Sequence, residues 1–186
     1  MTPEAGLALQ VALAQSGDRR ALDRLLRDHQ RPLYNHIRAI VGESDLAYDI
    51  LQASLLLVAR RLGALRDPRW FRAWAFRIAT REAVRAARRR SRDRALFDDT
   101  DDLADMPADA PAYDPALVRA CAASLDALSP AARVVLRLHY LEELTLPEVA
   151  EALELSLGTV KSRLAYGLAR LRAGSGEGKA TALSER

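Results

Sequence analysis

The residues with the most legible chemistry lie near the C-terminal end, in Leu157-Gly158-Thr159-Val160-Lys161-Ser162-Arg163-Leu164. Val160, Leu164, Leu168 and Leu171 recur at helical spacing, so one face of this segment is expected to pack inward. Lys161, Ser162, Ala165 and Tyr166 fall on the opposite side, near the N-terminal half of the same helix. A lysine there can donate to guanine acceptors or to a phosphate, and a serine hydroxyl can do either. Thr159, at the helix start, is placed to reach a backbone phosphate with help from free amide groups, and Arg163 is counted with this set. Such a pattern suits a helix laid in a DNA groove, or a plain helical hairpin with a solvated face. Periodicity alone does not choose between them.

A second group is defined by charge. The chain of 186 residues has a formal net charge of only +3, but the average hides the distribution. Lys and Arg crowd into residues 60–94, whereas Asp98, Asp99, Asp101, Asp102, Asp105, Asp109 and Asp114 follow with no cation among them. A basic face beside an acidic tether points to a polyanionic partner; two solvated charge runs are the plainer alternative. Cys121 is the single cysteine, which excludes an internal disulfide and a cysteine-based zinc site. His29, His36 and His139 lack metal-ligand spacing and read as surface or satisfied core histidines. No metal or acid–base cluster supports an enzyme, and no cofactor is implied. The opening MTPEAGLALQ lacks the features of a signal peptide, and no run approaches the roughly 20 apolar residues of a membrane span. A cytoplasmic protein without a membrane partner is expected.

The elements that must position these groups are almost all helical. A first helix is expected from Asp18 to Val41, closed by Gly42, with Ser44 capping a second that continues to Gly63. Asp67-Pro68 opens a third, which holds Trp70, Phe71, Trp74, Phe76, Ile78 and Val84 and runs into Arg88-Arg89-Arg90. Pro107, Pro111 and Pro115 mark residues 96–115 as an extended acidic linker. Helices resume over Ala116–Leu128 and from Ser129-Pro130 to about Glu143. Thr145-Leu146-Pro147-Glu148 is a capping box that starts a short helix, followed by a turn near Glu154–Leu157. The last helix is expected from Gly158 to Ala173, stopped by Gly174, with a frayed tail beyond. The fold class is therefore all-α, with two small helical domains, 1–95 and 116–174, joined by a flexible linker at 96–115 and followed by a disordered tail at 175–186. Helix, tight turn and helix within residues 146–172 is the helix-turn-helix arrangement.

Two runs carry a family resemblance. LDALSPAARVVLRLHYLEELTLPEVAEALELSLGTVKSRLAYGLARLR, Leu125–Arg172, resembles region 4 of extracytoplasmic-function (ECF) sigma factors, with LGTVKSRL at the opening of its recognition helix. DRRALDRLLRDHQRPLYNHIRAIVG resembles the start of region 2, and WFRAWAFRIAT is similar to that family's FRAWLYRIAR signature. The resemblance implies a factor that binds RNA polymerase core through the β′ clamp helices and the β subunit. It would bring core to promoter DNA and assist melting of the −10 element. Region 4 would read the −35 element through Thr159, Lys161, Ser162, Arg163, Ala165 and Tyr166. Region 2 would meet the −10 element through Arg66, Arg69, Arg77, Thr80, Arg81 and Arg85. Trp70, Phe71, Trp74 and Phe76 could stack on unpaired bases, but most of them are expected in the core. The acidic linker would lie in the polymerase's nucleic-acid channels as a polyanion mimic, or serve as a tether.

The sequence also departs from the family. Arg81 stands where Asn is usual and Arg85 where Asp is frequent; Tyr166 replaces a common Arg, and Ala165 is smaller than usual. On the second helix Asp45, Asp49 and Gln52 remain as core-binding residues, but Leu46, Tyr48 and Ala53 replace three carboxylates. Phosphorylation of Ser54 would restore charge there, so a protein kinase stands beside an anti-sigma factor as a candidate regulator. A stand-alone helix-turn-helix regulator that binds its operator without polymerase is the rival reading.

Overall fold

The computed structural model describes residues 3–90, 125 and 128–183, and all its regular elements are helical. Helix α1 spans Pro3–Gln15, α2 Arg19–Val41, α3 Ser44–Arg61 and α4 Phe71–Arg90. Two 3-10 turns, Leu62–Ala64 and Pro68–Trp70, link α3 to α4. Helix α5 spans Pro130–Leu136 and runs into a π turn at Arg137–Leu141. Helix α6 covers Leu146–Leu153 and α7 covers Leu157–Leu183. The linker expected at 96–115 and Cys121 lie outside the described residues. So does the helix expected over Ala116–Leu128, apart from Leu125 and Leu128.

Local chemistry explains the boundaries. The Asp18 carboxylate accepts from the Arg20 and Ala21 amides at 2.8 and 3.0 Å, satisfying two orphan donors at the start of α2. Those backbone amides hold the Asp18 carboxyl below the usual carboxylate range. Gly42 ends α2 at φ 77°, a left-handed conformation open to glycine at little cost, and its N–H donates to the Arg38 carbonyl at 2.8 Å. Helix α2 passes unbroken through Pro32. Proline lacks the N–H that would serve Asp28, but Asp28 is exposed and water can take that role.

Three expectations need correction. Ser44 is the first residue inside α3; Glu43 holds the cap position and makes no side-chain capping bond. The α-helix ends at Arg61, short of Gly63, because the chain tightens into a 3-10 turn. Gly174 does not stop the last helix, which continues to Leu183. Glycine in a helix interior costs about 1 kcal/mol and ends it only by turning left-handed. The left-handed glycines among the described residues are Gly17 and Gly42. Helix α1 was not anticipated; it packs on α2 through Val11 and Ala14, and Gln15 donates to the Leu62 and Leu65 carbonyls at 2.9 and 2.8 Å.

Helices α2, α3 and α4 pack against one another around Leu25, Leu33, Ile37, Leu51, Val58, Phe71 and Phe76, all buried. Each such side chain contributes about 1.5–3 kcal/mol by leaving water. Helices α5, α6 and α7 enclose Val135, Leu136, Val149, Val160 and Leu168 in the same way. The two groups also touch, α4 against α6 and α2 against α5. At that seam His36 is buried, and its Nε2 lies 2.8 Å from Thr80 Oγ1. Thr80 donates its hydroxyl hydrogen to the Phe76 carbonyl, so its oxygen accepts from an Nε2-protonated, neutral His36. Burial first, and then the charge of Arg137, lowers the His36 pKa to about 3.

Candidate nucleic-acid and polymerase interfaces

The turn between α6 and α7 is built by its own side chains. The Thr145 amide donates to Glu148 Oε2 at 2.8 Å and the Glu148 amide donates to Thr145 Oγ1 at 3.4 Å, a reciprocal capping box. Glu154 reverses the chain at φ 57°, and Ser156 Oγ caps α7 by accepting from the Thr159 amide at 3.0 Å. These contacts leave Leu157, Gly158 and Lys161 exposed, with Thr159 and Ser162 half-buried beside them. The Thr159 hydroxyl is already 2.8 Å from Ser156 Oγ, and Ser162 donates to the Gly158 carbonyl at 3.1 Å.

Val160, Leu164, Leu168 and Leu171 are buried, as their spacing predicts. Arg163 and Ala165 are buried too, at 2% and 5% exposure, and so do not face a groove in this arrangement. Each sits roughly 100° from the centre of the apolar stripe. Helices α5 and α6 both grip α7, which widens its covered arc beyond the stripe. Tyr166 is half-buried against the core cluster. The outward surface therefore contracts to the first turn and a half of α7, centred on Lys161.

Helix α4 presents the second surface. Arg66 is exposed; Arg69 is exposed and donates to Asp67 from Nη2 at 2.7 Å and from Nε at 3.1 Å. Thr80 faces His36 inside the bundle and is removed from the outward set. Its position four residues after buried Phe76 is the signal that could have placed it there. Phe71 and Phe76 are core, Trp74 packs on the cluster, and Trp70 remains 43% exposed. Arg81, Arg85, Arg88 and Arg89 line a cleft whose far wall is Leu153, Glu154 and Leu155. Arg81 pairs with Glu154 across it through two bonds, Nε to Oε2 at 2.9 Å and Nη2 to Oε1, and Arg77 pairs with Glu151 where α4 meets α6. The bond from Arg81 holds the Glu154 carboxyl below its usual range.

The third surface is α3. Asp45, Asp49 and Gln52 are exposed on one face with Tyr48, Ala53 and Leu56. Tyr48 leans on Tyr34, ring centroids 4.4 Å apart. Ser54 is fully buried and donates to the Ile50 carbonyl at 2.8 Å, so no kinase reaches it in the folded chain. Its i+4 relation to Ile50 and Val58 shows this in the sequence itself.

Two family models match the chain: Sigma-70 region 2 over residues 25–93 and Sigma-70, region 4 over residues 124–173. The chain belongs to the sigma-70 family. Residues 94–123 separate the two matches, which makes this a two-region sigma factor of the ECF type. Among the solved structures that match is one titled as CnrH in complex with the cytosolic domain of CnrY. The likeness to it has a TM-score of 0.62 at 26% identity, covering 90% of this chain and 95% of that one. Comparison with the curated proteins gives no match. The sigma factor binds RNA polymerase and recognises promoters; its family is not catalytic. Among the described residues no helix is long and apolar enough to cross a membrane.

Proposed function

We propose that the first turns of α7 read the −35 element as duplex, that α4 with the preceding loop engages the −10 element, and that the outer face of α3 docks on the β′ clamp helices. The observation that carries this reading is the order of the two matched regions, the first with exposed arginines on and before α4 and the second with exposed Lys161 at the start of α7. Lys161 supplies the base-edge or phosphate contact of α7, supported by Thr159 and Ser162. Arg66, Arg69, Arg77, Arg81 and Arg85 supply phosphate contacts for α4, which position the strand more than they select its sequence. Asp45, Asp49 and Gln52 are the polar contacts to core. Residues 1–95 and 116–174 are the units that carry these tasks, and 96–115 joins them. A cytoplasmic site of action follows from the polymerase partner. CnrH was solved with a protein bound, and a protein regulator of the same class is proposed here.

In-vitro transcription with purified core on genomic DNA fragments tests the whole reading. Initiation at a defined subset of promoters is expected only when both proteins are present. Tight operator binding by the chain alone, with no effect on core, would favour the stand-alone regulator.

Two substitutions probe individual surfaces. Lys161→Ala is expected to weaken promoter complexes by about 1–3 kcal/mol, roughly five- to 150-fold, while core affinity holds. Equal promoter affinity for both proteins removes Lys161 from the interface. Ala53→Glu is expected to tighten core binding several-fold, because Ala53 is exposed beside Asp49 and Gln52 on a face short of carboxylates. Leu46 packs on the core cluster, so an acidic residue there would test stability as much as docking. Unchanged core affinity of the Ala53 variant would show that added charge on this face does not matter.

A further inference from the structure

We propose that Glu151 and Glu154 form an intramolecular latch: two carboxylates at the C-terminal end of α6 occupy the α4 arginines in place of DNA phosphates and hold the free sigma factor closed. The inference rests on the reading of α4 as the −10 surface. Arg77 and Arg81 lie one turn apart on α4, Glu151 lies in the last turn of α6 and Glu154 caps its C-terminal end, so the two pairs close side by side. The Arg81–Glu154 pair is two-pronged, the geometry in which a guanidinium also takes a phosphate. Glu154 holds its place at φ 57°, a left-handed conformation that a glycine or asparagine would adopt more easily. A carboxylate is thus kept at a turn where backbone preference disfavours it.

The arrangement predicts how opening proceeds. Arg85, Arg88 and Arg89 line the cleft beside the pairs and make no side-chain ion pair among the described contacts. A nucleic-acid strand can bind these three first and then displace the carboxylates one turn at a time. All four paired side chains are partly exposed, so each pair is weak and screened by salt. Weak pairing suits a latch that polymerase or DNA must open, and both carboxylates withdraw when α6 leaves α4.

The test uses the full chain in a Cys121→Ser background, labelled at Arg31→Cys and Ala173→Cys, both exposed positions in the fold. Distance distributions and binding of a forked DNA without polymerase are measured for Glu151→Gln with Glu154→Gln, and for the swap Arg81→Glu with Glu154→Arg. The glutamine pair should shift the distribution toward open forms and raise DNA affinity about three- to tenfold. The swap should restore the closed distribution without restoring DNA binding. A distribution unmoved by the glutamine pair overturns the latch, and opening with no gain in DNA affinity overturns its masking role. Arg77→Ala with Arg81→Ala, assayed for polymerase-dependent promoter opening, reports on α4 separately. A defect there with labels that never respond to Glu151 and Glu154 leaves the α4 reading standing and removes the latch.

Discussion

Truncating Phe76 to alanine is expected to cost about 3–5 kcal/mol, a large share of the roughly 5–15 kcal/mol available to a small domain. The ring is 1% exposed on α4 and meets the buried His36 edge-on, with centroids 5.2 Å apart. Helix α2, which carries His36, and helix α3 both pack on α4, so the space left by the ring cannot collapse without moving a helix. The consequence reaches function, because α4 also carries Arg77, Arg81 and Arg85 on its outer side. Urea unfolding of the full chain gives the cost directly, and Phe76→Leu, which keeps most of the volume, should lose much less. A loss below about 1 kcal/mol for the alanine variant would mean that the site refills and that the ring is not a keystone of the bundle.

Acidification is expected to destabilise the protein before its carboxylates are protonated. His36 ionises near 6.5 in an unfolded chain and at about 3 in the fold, where burial and Arg137 oppose its charge. Between those values the unfolded state binds the extra proton. Stability is therefore full above about pH 6.5 and falls as the pH drops, by about 1.4 kcal/mol per unit. From pH 6.5 to 4.5 the loss is about 2–3 kcal/mol. Burial displaces His29 in the same direction, which adds to the slope. Asp18, Asp67 and Glu154, whose carboxyls are held low by their hydrogen bonds, contribute only at lower pH. His36→Gln, which keeps an amide donor for Thr80, should flatten the dependence of the urea midpoint on pH. Equal slopes for the variant and the parent would show that His36 is not the group responsible.

Much of the local structure was legible before any tertiary contact was known. Asp18, Gly42, Asp67-Pro68, Ser129-Pro130 and the Thr145/Glu148 box all stand at helix ends where their chemistry predicts. The reason is range: a cap joins groups two to five residues apart, so the sequence holds both partners in one short window. The apolar stripe of α7 was legible on the same ground. Its width was not, because periodicity gives the direction of a buried face and the number of neighbouring helices sets how far it spreads. Arg163 and Ala165 became interior when α5 and α6 closed on both flanks, and Thr80 turned inward to meet a histidine 44 residues away. Ser54 lost its role as a modification site to the same burial, although its spacing from Ile50 and Val58 had marked it. The pairing of Arg77 with Glu151 and of Arg81 with Glu154 spans 74 and 73 residues and follows no periodic rule. Which carboxylates meet those arginines depends on how α6 docks on α4, and only the tertiary structure decides that.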